Sequence, residues 1–207
     1  MTLILHITNI SNLENILVNG GLWSINQMPA TLTPHSSAHA SIQLRRAQTK
    51  VPLNRGGFLH DYVPFYFGER SPMLYANHTG TVVGSNNGQN SIIYLVSSVQ
   101  TVASFTNDWV FTDGHAIMVP LTSFFDDLAH LNQIDWKAVR ATYWADTNDD
   151  PDRKRRKQAE FLVHQFVPFS WFTEFAVLNQ EVAQQVQSIL ANANAALPVK
   201  VRRDWYY

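Results

Sequence analysis

Apolar positions along the chain form short runs separated by polar, glycine-containing or proline-containing breaks, which is typical of a domain that mixes strands and helices. The first run, residues 3–8, is apolar enough for a short buried strand. Ser11 or Asn12 is expected to cap a helix that continues to Val18 with an apolar stripe. The Gly20-Gly21 pair then ends that helix where a left-handed residue is favoured.

The same pattern predicts the rest of the fold. Residues 91–96 give the strongest strand signal, and they follow a polar loop at residues 86–90. A turn is expected at residues 54–57. The other predicted elements are strands over residues 62–67, 109–111, 118–119, 161–166 and 175–177, helices over 41–48 and 179–192, and a last strand within 199–206. Because no repeat or linker interrupts this series, we expect one α+β domain over residues 1–207 with mostly antiparallel pairing.

Composition narrows the classes of protein that the chain can belong to. Its 207 residues are 45% apolar and 15% charged, which fits a globular domain. The net charge of −1 argues against a protein that binds polyanions over its whole surface. The absence of cysteine excludes disulfides, thiolate nucleophiles and Cys-ligated zinc. No apolar run approaches the ~18 residues of a membrane span, and no secretory signal pattern is present, so we expect a cytoplasmic protein without membrane contact.

Common catalytic and nucleotide-binding motifs are missing. The sequence contains no Walker-type phosphate loop, no dinucleotide-binding glycine motif, no nucleophile elbow and no zincin motif. His35 and His39 have the spacing of two metal ligands on a helix, but serines separate them and no third ligand is evident. Two solvated histidines are the better interpretation, and no metal is expected.

Three features have both a structural and a functional interpretation. His6 lies inside the first apolar run, so it is either a core histidine or a polar group that binds a ligand hydroxyl at a strand end. Glu160 follows a basic run at residues 153–157 and is either ion-paired there or a catalytic carboxylate at the start of a strand. The aromatic residues of segments 62–67 and 70–75 either fill the core or stack on a planar ring.

Taken together, nine segments resemble the DarT-type DNA ADP-ribosyltransferase toxins. The matching segments are HIT (residues 6–8), LENIL (13–17), GGL (20–22), RR (45–46), DYVPFYF (61–67), RSPMLY (70–75), DGHA (113–116), QAEFLV (158–163) and RRDWY (202–206). They run from one end of the chain to the other in the same order, and the block from 61 to 75 is the most specific.

The resemblance implies a fold and a reaction. The expected fold is that of the ADP-ribosyltransferases, a split, mainly antiparallel sheet core with flanking helices and a central NAD+ cleft. Such enzymes break the nicotinamide–ribose bond of NAD+, which is a co-substrate, and transfer ADP-ribose to a base of single-stranded DNA. The base is usually thymine, although some relatives modify guanine. The resemblance also implies a toxin whose product is removed by a macrodomain antitoxin.

The resemblance also assigns roles to individual residues. Glu160 is expected to stabilise the oxocarbenium-like centre, and Arg46, with Arg45 as second choice, to stabilise the acceptor base as it loses a proton. The sequence does not separate these two arginines. Residues expected to bind NAD+ are His6, Thr8, Asn15, Arg46, Tyr66 and Phe67. Residues expected to bind DNA are Arg45, His115, Tyr143, Trp144, Arg153, Lys154, Arg155 and Arg156.

Two other functions remain open at this point. One is an NAD+-dependent enzyme that acts on RNA ends, similar to the tRNA 2′-phosphotransferases, although the basic pattern of that family is not evident. The other is a non-catalytic module that binds single-stranded nucleic acid. For the basic run, the alternative to a phosphate-binding role is a solvated helix surface.

Overall fold

The computed structural model describes residues 1–32, 34–35, 37–82 and 88–207. Its strands are β1 Leu3–Asn9, β2 Gly21–Trp23, β3 Tyr62–Tyr66, β4 Ile92–Ser98, β5 Trp109–Thr112, β6 Phe124–Phe125, β7 Glu160–His164, β8 Phe166–Pro168, β9 Glu174–Val177 and β10 Val199–Val201. Its helices are α1 Leu13–Val18, α2 Ala40–Gln48, α3 Pro72–His78, α4 Val99–Phe105, α5 Trp136–Val139, α6 Arg153–Lys157 and α7 Gln180–Asn192.

The main sheet has the strand order β10-β9-β4-β1-β3-β7-β5-β6, and its pairings are antiparallel except for the parallel pair of β9 and β10. β1 pairs with β4 along its whole length, from Leu3 opposite Ser98 to Asn9 opposite Ile92. Across the other edge of β1, the register joins it to β3 at Leu5 opposite Tyr66. Among the described residues this is the single register pair between the two strands, so the sheet is split between β1 and β3 as expected.

Alternation along the central strands gives each face of the sheet its own core. Phe65, Phe111 and Phe161 lie on one face, where the apolar side of α7 helps to cover them. Tyr62 and Leu162 lie on the opposite face. All five side chains are almost completely buried, and each contributes about 1.5–3 kcal/mol of hydrophobic free energy. These two cores hold β3, β5 and β7 rigidly, and β7 is the strand that begins with Glu160.

Several predicted elements differ from the structure at their ends. The helix that ends at Val18 is preceded by a 3-10 turn, and the side chain of Asn9, rather than Ser11 or Asn12, accepts the capping hydrogen bond. Only Val199–Val201 of the predicted last strand is a strand, and a 3-10 turn follows it. The loop predicted at residues 86–90 begins outside the described residues, and a 3-10 turn occupies Gly88–Ser91.

Two predicted strands need a larger correction. Residues 118–119 are not a strand. Met118 lies in a turn, and its backbone amide donates to His115 O at 2.9 Å. The strand predicted over 161–166 is divided at Gln165, whose φ of 61° turns the chain away from the main sheet. β8 then pairs with β2, and Gly21 is required there because a Cβ would lie 2.1 Å from Val167 O.

Candidate active site

The carboxylate of Glu160 is the centre of a buried polar cluster at the start of β7. Glu160 is 2% exposed, and its amide donates to Thr112 Oγ1 at 3.1 Å, which fixes its backbone to the end of β5. Oε1 accepts a hydrogen bond from the Ala116 amide at 3.0 Å, and Oε2 accepts one from Arg46 Nη1 at 2.8 Å. A carboxylate with two charge-stabilising donors is held in one orientation.

Arg46 reaches Glu160 from α2. The two neighbouring arginines of this helix point in different directions and differ in burial. Arg46 is the buried residue of α2 and is 8% exposed, whereas Arg45 is exposed and donates to Ile117 O at 3.2 Å. Nη2 of Arg46 is buried and has no hydrogen-bond partner among the described residues. An unpaired buried donor costs about 1–3 kcal/mol, so this arm of the guanidinium is suited to a substrate oxygen.

His115 lies beside the same carboxylate, with Nε2 4.0 Å from Glu160 Oε1. Burial, together with the positive charges of Arg46, Arg45 and Lys154, lowers the pKa of His115 to about 4, although Glu160 opposes the shift. The imidazole is therefore neutral near pH 7 and does not form an ion pair with Glu160. The three cations that act on His115 surround the cluster with positive charge, which suits an anionic substrate.

A second polar group lies at the split between β1 and β3. His6 Nδ1 donates to Pro64 O at 2.8 Å, which fixes the tautomer because a carbonyl oxygen only accepts. Burial lowers the pKa of His6 to about 4, so Nε2 carries a free lone pair near neutral pH. Thr8 is also buried, and its hydroxyl accepts a hydrogen bond from Asn12 Nδ2 at 3.0 Å. Asn12 further holds both the amide and the carbonyl of His35.

The other residues predicted to bind NAD+ fall in different places. Tyr66 is the cross-strand partner of Glu160 and shares its face of the sheet, where burial and that carboxylate raise the pKa of its hydroxyl well above 10. Phe67 instead packs into the core, with its ring centroid 5.6 Å from that of Trp136. Asn15 is exposed on α1. The geometry therefore places Tyr66, rather than Phe67, beside the buried polar cluster around Glu160.

The segment before α6 and the first turn of that helix carry aromatic and basic side chains that are exposed or partly exposed. Tyr143 is 85% exposed. Trp144 packs edge to face on Tyr75 with a centroid distance of 5.6 Å, and its indole N–H donates to the hydroxyl of Tyr207. Lys154 is exposed and its Nζ lies 5.9 Å from the ring centroid of Trp144. This surface offers stacking planes and a positive charge to a nucleic acid strand.

Most of the basic run is engaged in internal ion pairs. Residues 153–157 form α6, and an acidic segment precedes this helix. Arg153 pairs with Asp150, Arg155 with Asp152 and Asp113, and Arg156 with Asp135 and Asp150. Lys157 is buried, where burial lowers its pKa to about 8 and Nζ donates to two backbone carbonyls. The run is therefore neither a solvated face nor a continuous row of free cations, and Lys154 is its exposed member.

Comparison with known proteins decides the family. A family model described as "DarT: ssDNA thymidine ADP-ribosyltransferase, DarT" matches residues 5–207. The chain belongs to this family. A DNA ADP-ribosyl transferase of Thermus aquaticus is 46% identical over 208 residues, which cover 100% of this chain and 89% of the relative. One from Escherichia coli O127:H6 is 37% identical over 163 residues, covering 79% and 74%.

Solved structures of Thermus sp. 2.9 DarT match the whole fold. The complex with ADP-ribosylated ssDNA superposes with a TM-score of 0.93 at 46% identity, covering 100% of this chain and 96% of that one. The complex with NAD+ gives a TM-score of 0.88 at 42% identity, covering 100% and 98%. These matches confirm the expected ADP-ribosyltransferase fold and the NAD+-dependent DNA ADP-ribosyltransferase activity, and they do not favour the RNA-end enzyme or the non-catalytic module.

The side chains and helices of residues 1–32, 34–35, 37–82 and 88–207 also bear on metal binding and on membranes. No cluster of three or more His, Asp or Glu side chains in these ranges could hold a metal ion. No helix in them is long and apolar enough to cross a membrane.

Sequence reasoning missed three parts of the site. The sequence predicts Asn12 only as a possible helix cap, whereas in the structure it joins Thr8 to the segment before α2. Thr112 directly precedes the DGHA segment and Ala116 ends it, but neither a hydroxyl that accepts a backbone amide nor a backbone donor carries a signature in a sequence. The register of β5 against β7 brings these groups to Glu160.

Proposed function

We propose that this chain transfers ADP-ribose from NAD+ to a thymine base of single-stranded DNA, with Glu160 and Arg46 as the catalytic residues. The observation that supports these roles is the buried Arg46–Glu160 pair, in which one arm of the guanidinium lacks a partner. It combines a fixed carboxylate, which can stabilise a cationic sugar, with a free donor, which can stabilise an anionic base. The reaction requires both.

The proposed chemistry follows from where the charge develops. The bond between C1′ and the nicotinamide nitrogen breaks, the electron pair goes to nicotinamide, and C1′ becomes oxocarbenium-like beside the Glu160 carboxylate. Thymine N3, whose proton is released to solvent, forms the new bond to C1′. Because that nitrogen becomes anionic as it attacks, Nη2 of Arg46 lowers the barrier by donating to the base. The products are ADP-ribosylated DNA, neutral nicotinamide and one proton.

The remaining site residues bind and orient the two substrates. His6 Nε2 accepts a hydrogen bond from a ribose hydroxyl of NAD+, and the Thr8–Asn12 pair lines the same end of β1. Tyr66 packs on the nicotinamide side of Glu160. On the acceptor side, Lys154 binds the DNA backbone and Tyr143 stacks on a base.

The test is the intact mass of oligonucleotides after incubation with the protein and NAD+. A gain of about 541 Da on a mixed single strand is expected, since one ADP-ribosyl unit replaces a proton. The gain should persist when the strand lacks G and disappear when it lacks T. Transfer to a T-free strand that contains G would overturn the choice of thymine, and modification of RNA alone would overturn the DNA acceptor.

We also propose that the protein is a toxin acting in the cytoplasm and that a macrodomain antitoxin reverses its product. The support is the resemblance to the DarT-type toxins, which implies an antitoxin of this kind. A macrodomain hydrolase should remove the 541 Da increment from the modified strand. An increment that resists the hydrolase would contradict this pairing.

A further inference from the structure

Arg155 makes contacts that do not suit a DNA-binding residue. Its side chain is 11% exposed. Nε and Nη2 donate to the two carboxylate oxygens of Asp152 at 2.8 Å each, and Nη1 donates to Asp113 Oδ1 at 3.1 Å and Thr122 Oγ1 at 3.3 Å. A guanidinium has five N–H donors. With four hydrogen bonds already made inside the protein, this one has little capacity left for a phosphate.

Apart from Asp152, the partners of Arg155 belong to the loop that supplies the second donor to Glu160. This loop, residues 113–122, connects β5 to the segment before β6. Asp113 and Thr122 stand at its two ends, and Thr122 Oγ1 also donates to His115 O at 3.0 Å. The backbone carbonyl of Arg155 accepts the His115 amide at 2.9 Å. Arg155 thus contacts the loop at its start, its middle and its end.

Gly114 shows how closely Arg155 packs against this loop. A Cβ built on Gly114 would lie 2.3 Å from Arg155 Nη1, so the guanidinium occupies the space that any larger residue would need. The Gly114 carbonyl in turn accepts a hydrogen bond from Thr112 Oγ1 at 2.7 Å, and that hydroxyl also accepts the amide of Glu160. One continuous set of contacts therefore joins Arg155 to both the backbone and the carboxylate of Glu160.

We infer that Arg155 is a positioning residue for catalysis: it clamps residues 113–122 against α6, so that the Ala116 amide and the His115 ring stay in register with the Glu160 carboxylate. The inference rests on the catalytic role proposed for Glu160. It reassigns one member of the basic run from DNA binding to the assembly of the active site. Since α6 ends just before β7, the clamp fixes both sides of the catalytic carboxylate.

The decisive variant is Arg155→Lys. Lysine keeps the positive charge, which suffices for a phosphate contact, but it cannot bridge Asp152, Asp113 and Thr122 together. We expect kcat for nicotinamide release in the presence of DNA to fall by about tenfold or more, with KM for NAD+ and DNA affinity within about twofold of the parent. Arg55→Lys is the matched control, because Arg55 forms the same forked pair with Asp108 at a remote, exposed place.

A second variant, Arg155→Gln, tests the DNA-binding alternative. It should leave the salt dependence of oligonucleotide binding unchanged, whereas loss of a phosphate contact would lower the slope by about one. All rates are measured below the unfolding midpoint of each variant. Two outcomes would each overturn the inference. One is a wild-type kcat in Arg155→Lys, whether or not its melting temperature is lowered. The other is a reduced salt slope for oligonucleotide binding by Arg155→Gln.

The same assays separate this inference from the role proposed for Glu160. Glu160→Gln should lose nicotinamide release even with an intact clamp. An active Glu160→Gln protein would reject the catalytic assignment itself, whereas an inactive one beside a fully active Arg155→Lys protein would reject only the positioning role.

Discussion

Coupling between Arg46 and Glu160 is open to direct measurement, because both side chains are buried and lie 2.8 Å apart. Arg46→Met leaves the Glu160 carboxylate buried with the Ala116 amide as its donor, and Glu160→Gln leaves a buried guanidinium without its counter-charge. Removing one partner of a buried ion pair costs about 3–5 kcal/mol of unfolding free energy. We therefore expect the free energy of unfolding of each single variant to fall by about 3–5 kcal/mol.

The double variant decides whether the pair behaves as a unit. With both charges gone, no uncompensated charge remains, so the combined loss should fall short of the sum of the single losses by at least about 1.5 kcal/mol. Urea unfolding followed by tryptophan fluorescence measures all four proteins, with the Arg55→Lys variant as a surface control. Additive losses would show that the two charges act independently and would refute the reasoning from burial.

Three further predictions address pH, DNA binding and packing. The pKa of His6 and of His115 is lowered to about 4 in the folded protein against 6.5 as the ordinary value, so the unfolded chain binds more protons between these limits. The stability that these two neutral histidines contribute is therefore fully present above about pH 6.5 and declines as the pH falls towards about 4. Urea unfolding of the parent and of a His6→Gln variant at several pH values measures this decline. A free energy of unfolding that does not change with pH in the parent would contradict it. Tyr143→Ala should weaken oligonucleotide binding by about 1–3 kcal/mol in a fluorescence anisotropy titration while leaving the melting temperature unchanged, and equal affinity would exclude stacking. Gly21→Ala should destabilise the fold by more than about 2 kcal/mol, because the new Cβ meets Val167 O, and a wild-type melting temperature would contradict that contact.

The strands that carry the site were predictable from sequence because they are long apolar runs. β1, β4 and β7 lie near their predicted places, and the glutamate at the start of β7 stood out by its position. α3 was missed although Ser71-Pro72 is a helix-start signal, and the serine side chain does accept the capping hydrogen bond from Leu74. The aromatic content of that segment favoured a core or stacking interpretation over a helix.

The choice between Arg45 and Arg46 shows why the details of the site needed coordinates. Neighbouring helix residues point about 100° apart, so two adjacent arginines cannot both face the same buried carboxylate, and packing rather than either residue decides which one does. The structure buries Arg46 on Glu160 and leaves Arg45 exposed. Tyr66 and Phe67 differ in the same way, because successive strand residues face opposite sides of the sheet.

The basic run shows why the role of a charged side chain is equally hard to predict from sequence. A series of Arg and Lys indicates an anion site when its members are free and a structural network when they are paired, and the partners decide which applies. Here those partners include Asp113 and Asp135, which are distant in sequence from the residues they bind. Arg155 frames the loop beside Glu160, whereas Arg45, Lys154 and the free arm of Arg46 are the cations proposed to meet substrate. Positive charge in this enzyme thus serves two purposes, and the donors that a cation leaves without a protein partner distinguish one from the other.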